Sequence, residues 1–306
     1  MKNSRKCIFK SIVCMLLSII IIGTSSIYSS AATTSYKKVS SGEKVGDYYI
    51  WIDEIEGLYT QKKGSSMKLI QRKPKIYEVS IAPEVITNGK QIYYAIITDN
   101  LEGKYSGQIY RSDMNGKNKK HIATISHLVG LEGYYGNKLY ISRHSRLYDN
   151  EWDVFGATDI YSCSISSGKI SLIKKNSYIL KQNGKYLLLK SIAWDYTGTS
   201  IYCYNASTNK KYKINYECGT ANFVNGKIYY SDMNTTNKVK NKETLKSCSY
   251  TGKNQKTIKT FNFGNYGGTI TSINKTNAKY IKYNRDHTKN TMYKYYYKTG
   301  KTVKIK

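Results

Sequence analysis

Side chains able to stack on, bond to or charge-pair with a ligand crowd into a few short stretches of this 306-residue chain. Arg143, His144, Arg146, Tyr148, Asp149, Glu151, Trp152 and Asp153 form the densest; Trp194, Asp195 and Tyr196 form a second, and Arg285, Asp286 and His287 a third. Asp53, Glu54 and Glu56 make a smaller acidic group, as do Asp99 and Glu102. Aromatic faces stack on apolar ring surfaces, while carboxylates and guanidinium forks bond hydroxyls or charges. Together they suit a sugar or peptide ligand. The expected ligand-binding residues are therefore Arg143, His144, Arg146, Tyr148, Asp149, Trp152, Trp194, Asp195, Tyr196, Arg285 and His287. The alternative, that Trp152 and Trp194 pack their own loops, stays open.

Catalytic signatures are absent. No G-x-S-x-G elbow, H-E-x-x-H helix, P-loop or dinucleotide glycine fingerprint follows residue 32. His144 and His287 could join Asp149, Asp153 or Asp286 in acid–base or metal chemistry only if the fold brought them together. With four histidines in the chain, isolated surface histidines are expected, and no catalytic residue, metal ligand or cofactor is assigned. Beyond residue 32 the cysteines are Cys163, Cys203, Cys218 and Cys248, with no C-x-x-C spacing. Buried free thiols are expected, although export permits disulfides.

Export itself is read from the first residues. Lys2, Arg5, Lys6 and Lys10 precede an apolar run, Ile12 to Ile22, and a small-residue stretch ends at Ser30-Ala31-Ala32. That order marks a cleaved signal peptide over 1–32. The run is shorter than the roughly 18 residues of a spanning helix, so an uncleaved anchor is the lesser reading and the mature chain has no stable membrane span. The chain carries 49 Lys and Arg against 20 Asp and Glu, a formal charge of +29, and removing 1–32 leaves +25. A genome rich in Lys, Asn, Ile and Tyr codons would produce such a balance. The functional reading is attraction to a polyanion outside the cell, which excludes nucleic acid and points to an anionic cell-wall polymer, a glycan or an extracellular protein as partner.

The elements that must position these stretches repeat. Asn88-Gly89-Lys90, Asn183-Gly184-Lys185 and Asn225-Gly226-Lys227 each precede an apolar-aromatic strand, and weaker copies surround Gly46, Gly136 and Asn277. A second half, such as Gln108 to Asp113, then Asn115-Gly116-Lys117, then Lys120 to Ile125, completes each unit. Asn-Gly between alternating β-formers is a hairpin signal, through a type I′ turn with positive φ at both central residues. Four strands per unit and six units predict an all-β, six-bladed propeller over 45–306, after a polar leader at 33–44. Two β-sandwiches are the structural alternative.

Ile228-Tyr229-Tyr230-Ser231-Asp232 resembles the I-Y-W-T-D phrase of low-density lipoprotein receptor-type (YWTD) six-bladed propellers. Ile109 to Asp113 with Asn115 to Asn118 resembles the strand and turn closing their blades. The likeness spans most of 45–306 and is closer still to secreted bacterial propellers of that class. No functional residue transfers from it. In such blades the first-second and third-fourth hairpins share one face of the disc, and the longer second-third loops, which hold the residues above, share the other. The resulting expectation is a secreted or cell-surface, non-enzymatic binding module. The alternative is a propeller enzyme, hydrolase or lyase, acting on extracellular polysaccharide or a lactone.

Overall fold

The computed structural model describes residues 36–53, 56–74, 79–81, 84–100, 104–144, 158–192, 199–233, 241–285 and 289–305. The expected signal peptide, 1–32, lies outside them. Every regular element described is a β-strand. β1 (Lys37–Ser40) leads into blade I, made of β2 (Lys44–Val45), β3 (Tyr48–Asp53), β4 (Gly57–Lys62) and β5 (Met67–Arg72). Blade II holds β6 (Val79–Ile81), β7 (Glu84–Thr87), β8 (Gln91–Asn100), β9 (Lys104–Asp113) and β10 (Lys120–Ser126). Blade III runs β11 (Leu128–Tyr135), β12 (Lys138–His144), β13 (Thr158–Ser164) and β14 (Ile170–Lys174). Blade IV is β15 (Ser177–Asn183), β16 (Tyr186–Ile192), β17 (Thr199–Asn205) and β18 (Lys210–Tyr216). Blade V is β19 (Cys218–Val224), β20 (Lys227–Asp232), β21 (Lys242–Cys248) and β22 (Lys256–Asn262), and blade VI is β23 (Gly268–Ile273), β24 (Asn277–Tyr283), β25 (Asn290–Tyr296) and β26 (Thr302–Lys304). Six antiparallel sheets, five of four consecutive strands and one in which β1 joins β6–β10, make the chain a six-bladed β-propeller and leave no place for two sandwiches.

The repeat has a register that the sequence shows only faintly. In blades I, III, IV and V the ladder between the third and fourth strands shifts just after a fully buried aliphatic residue: Leu58, Ile160, Ile201 and Leu245. Such bulges bend the outer strand and increase its twist. The hairpin chemistry is less uniform than expected. Both central residues have positive φ in the Asn225-Gly226 turn, 46° and 75°, whereas at Asn88-Gly89 and Asn183-Gly184 only the glycine does. Asn88 instead accepts the Lys90 and Gln91 amides on its side-chain oxygen, both at 2.9 Å, an Asx turn that needs no left-handed Asn.

The expected polar leader also takes a different course. Lys37–Ser40 pairs with Glu84–Thr87, with Val39, 1% exposed, opposite Val85. Lys38, one of the charges that make the segment look like a leader, bonds the Glu84 carboxylate and, at 2.8 Å, that of Glu132. Partnered this way, a strand with a single buried aliphatic residue can lie along the inner strand of blade II.

Between blades the core divides into five apolar clusters, one for each seam from I–II to V–VI. Among the described residues none of these clusters joins blade VI to blade I. Among the described residues Cys163, Cys203, Cys218 and Cys248 are free and buried.

Candidate active site

The repeat register exposes a substitution pattern. Two positions before the buried aliphatic residue, blades III and IV carry Thr158 and Thr199, whose hydroxyls donate to Ser177 O and Cys218 O on the inner strand of the next blade, at 2.8 and 2.7 Å. Blade V carries Glu243 there. The stitch survives with reversed polarity, since Glu243 Oε2 accepts the Ile270 amide at 2.7 Å. Blade I also has an acid at this register, Glu56, but it is exposed and accepts the Tyr59 hydroxyl. Glu243 is only 4% exposed. Across the sheet from the buried aliphatic residue, blades III and V present Ser142 and Ser231, whereas blade IV presents Lys190.

Both departures border Gly219 on β19, each by its own contact. Lys190 Nζ donates to Gly219 O at 2.6 Å. A Cβ on Gly219 would lie 2.8 Å from Ser231 Oγ and 3.3 Å from Glu243 Oε1, so only glycine admits this approach. Ser231 Oγ accepts the Thr220 amide at 2.9 Å. Asp232 accepts from the Asn215 amide at 3.0 Å and pairs with Lys246. Among the described residues Glu243 Oε1 has no partner in hydrogen-bond geometry, while the Ser231 and Thr269 hydroxyls lie near enough to favour the charged form.

The electrostatics follow from burial. Desolvation is the main effect on Glu243 and lifts its pKa above the ordinary carboxylate value, with the nearby Asp232 charge adding to the rise. Desolvation likewise pulls the Lys190 ammonium below the ordinary lysine value. Cys218 between them is pushed far up, chiefly by burial, and with Asp232 and Glu243 also disfavouring a thiolate it is no nucleophile. Burial thus raises the Glu243 carboxyl and lowers the Lys190 ammonium, the directions that move an acid and a base toward the range of proton transfer. Lys190 lies near the end of β16 and Asp232 ends β20, so the cluster sits toward the end of the blades at which the second strands finish.

Of the expected binding residues, Arg146, Tyr148, Asp149, Trp152, Trp194, Asp195, Tyr196 and His287 lie outside the described residues. Arg143 donates to Ser126 O and Oγ, both at 2.9 Å, and covers the Tyr161 ring. His144 follows it on β12 and its amide donates to His127 O. Arg285 is an exposed turn residue of blade VI. The first two therefore stand together in blade III and the third in another blade. Lys190, Gly219 and Glu243 escaped sequence reasoning because their signal is comparative: only in register do Lys and Glu stand out against Ser and Thr. Among the described residues no group of three or more His, Cys, Asp or Glu stands close enough to hold a metal ion.

No protein-family model matches the chain, and neither does any curated protein. Solved structures do resemble it. Oligogalacturonate lyase from Vibrio parahaemolyticus aligns with a TM-score of 0.50 at 8% identity, over 84% of this chain and 76% of that one. The β-propeller domain of the Trilobed protease from Pyrococcus furiosus gives 0.47 at 13%, over 76% and 71%, and acylaminoacyl peptidase 0.47 at 14%, over 87% and 44%. Identities this low speak for the propeller fold alone. The expectation of a non-enzymatic binding module is corrected on one finding: the propeller that aligns at a TM-score of 0.50 is a lyase, so the propeller-enzyme alternative is the reading taken forward.

Proposed function

We propose that the chain is a propeller enzyme that cleaves an acidic extracellular polysaccharide by acid–base chemistry at Lys190 and Glu243. The observation that carries the reading is that both side chains border Gly219, at register positions where sister blades keep Ser and Thr. The oligogalacturonate lyase likeness supports a uronate substrate, and so does the formal charge of +25 left after residues 1–32 are removed, which concentrates polyanions near the surface. In such a substrate the ring carbon next to the carboxylate carries an acidic hydrogen, and the glycosidic oxygen sits one carbon further on. Neutral Lys190 removes that proton, a carbon–carbon double bond forms, the glycosidic bond breaks, and Glu243 protonates the departing oxygen. The chain is proposed to be secreted through residues 1–32, and the loops holding Trp152 and Trp194 to contribute stacking surfaces for the sugar rings. Kinship with the YWTD class is likewise proposed, supported by the place of its phrase: Tyr230, Ser231 and Asp232 are buried beside the acid–base cluster.

The test is to incubate the secreted protein with polygalacturonate, other uronate polymers and neutral glucans. Ultraviolet absorbance reads the new double bond and reducing ends report total cleavage. Uronate-specific cleavage with matching absorbance is expected, abolished in Glu243→Gln. Reducing ends without absorbance would make the enzyme a hydrolase, and the absence of cleavage on every polymer would overturn the reading.

A further inference from the structure

On the opposite side of the blades, at the hairpin turns, a 390 Å³ cavity opens between blades III and IV. The blade IV turn beside it departs from its sisters at one position. The turn between the third and fourth strands contains a glycine in every other blade, namely Gly64, Gly116, Gly168, Gly252 and Gly300, whereas blade IV has Asn205-Ala206-Ser207-Thr208-Asn209. In blades II, III and V that glycine seats against the outer strand of the preceding blade, with a Cβ position 3.5 Å from Ile70, 2.7 Å from Ile122 O and 2.8 Å from Lys213 O. Without it the blade IV turn does not seat in this way on β14, and the cavity lies between them, large enough for a sugar ring.

The lining is chemically one-sided. Lys138, Lys169 and Lys211 converge on it with four serines, and no carboxylate is among its walls. Two of the ammonium groups rest on neutral acceptors, Lys138 on Asn209 Oδ1 at 3.0 Å and Lys211 on Ile173 O at 2.5 Å. Tyr204 also donates to Asn209 Oδ1, at 2.8 Å, which fixes that amide with its NH2 group as the remaining donor. Tyr204 and Ser162 are buried, and Leu172, 46% exposed, supplies an apolar wall. Three like charges around one cavity repel each other until an anion enters, and clustered hydroxyls suit a polyol.

We infer that this cavity binds a single acidic sugar unit of an anionic glycan, as a secondary site separate from the acid–base cluster. The anionic group sits among the three lysines and the ring hydroxyls meet the serines. The inference does not depend on cleavage, because its readout is binding alone.

Titration calorimetry on the full secreted protein with galacturonic acid, glucose 6-phosphate, glucose and inorganic phosphate tests it, in the parent and in a Lys138→Met/Lys211→Met variant. Lys117→Met/Lys253→Met, on sister turns without the cavity, is the control, and Glu243→Gln separates binding at the acid–base cluster. One or both acidic sugars should bind at least tenfold more tightly than glucose and than inorganic phosphate, lose at least tenfold in the Lys138/Lys211 variant, and keep their affinity in the control and in Glu243→Gln. If galacturonic acid alone binds, the natural unit is a uronate, and if glucose 6-phosphate alone binds it is a phosphosugar. Inorganic phosphate binding as tightly as the sugars, equal loss in the control, or no saturable sugar binding with the variant still folded by circular dichroism would each overturn the inference.

Discussion

A buried acid and a half-buried amine are costs that a propeller blade does not need, and that cost makes the roles of Glu243 and Lys190 separable by pH. Folded Glu243 holds its proton to higher pH than the unfolded chain does. Its contribution to stability is therefore full below the ordinary glutamate range and is lost as pH rises through the folded value. Lys190 has the opposite sign: its folded ammonium releases the proton below the ordinary lysine value, and the handicap is relieved as pH climbs toward that value. Glu243→Gln preserves an oxygen acceptor for the Ile270 amide while removing the titration. Thermal melts between acid and neutral pH should show it gaining on the parent as pH rises, with turnover down about a hundredfold or more, the scale of a lost general acid. A variant equally destabilised at every pH, with activity intact, would reduce Glu243 to a seam stitch. Trp194 follows Lys190 by four residues in the sequence, and Trp194→Ala should weaken substrate binding by about 1–3 kcal/mol, as for a lost aromatic anchor. Unchanged KM in a folded Trp194→Ala protein would mean that the ring packs its own loop.

The strands and their hairpins were legible because Asn-Gly turns and alternating Tyr, Ile and Val carry their meaning locally. The register bulges, the strand at Lys37–Ser40 and the placing of Lys190 and Glu243 beside Gly219 were not, since each depends on a neighbour distant in sequence. Lys37–Ser40 has one buried aliphatic residue and draws its remaining support from Glu84–Thr87 and Glu132. Seams between blades behave alike: Gly107 reads as an ordinary strand glycine, yet a Cβ there would lie 2.2 Å from Leu128 Cδ2 and 2.6 Å from Leu128 Cβ. Leu128 is fully buried in the cluster between blades II and III, so it has little room to retreat. Gly107→Ala should cost about 1–3 kcal/mol, the usual range for overpacking, measured by denaturant unfolding. Gly136→Ala, with nothing within 4 Å of its Cβ but φ of +60°, probes turn strain without any seam clash. If Gly107→Ala proved no worse than that control, seam packing would not be what requires the glycine.

Five of the six seams are filled by apolar clusters, and that inequality should govern how the propeller opens. On the blade VI side of the remaining seam, β26 is exposed along its length and Val303 and Ile305 face solvent. On the blade I side Trp51 is 38% exposed. The inner blades are different: β12, β16 and β20 each hold a run of buried residues, including Leu139, Tyr140, Leu187, Leu188, Leu189 and Tyr230, locked from both sides. In an array whose units are held by their neighbours, a unit with one filled interface opens at lower free energy than a unit with two. Hydrogen–deuterium exchange followed by mass spectrometry should therefore find β2, β3, β25 and β26 exchanging well before β12, β16 and β20. Deleting residues 276–306 should lower the melting temperature while leaving a cooperative transition, because it removes a blade that seals only the V–VI seam. Uniform protection across all six blades, or loss of all cooperativity on that deletion, would show that blades I and VI are joined as firmly as the rest.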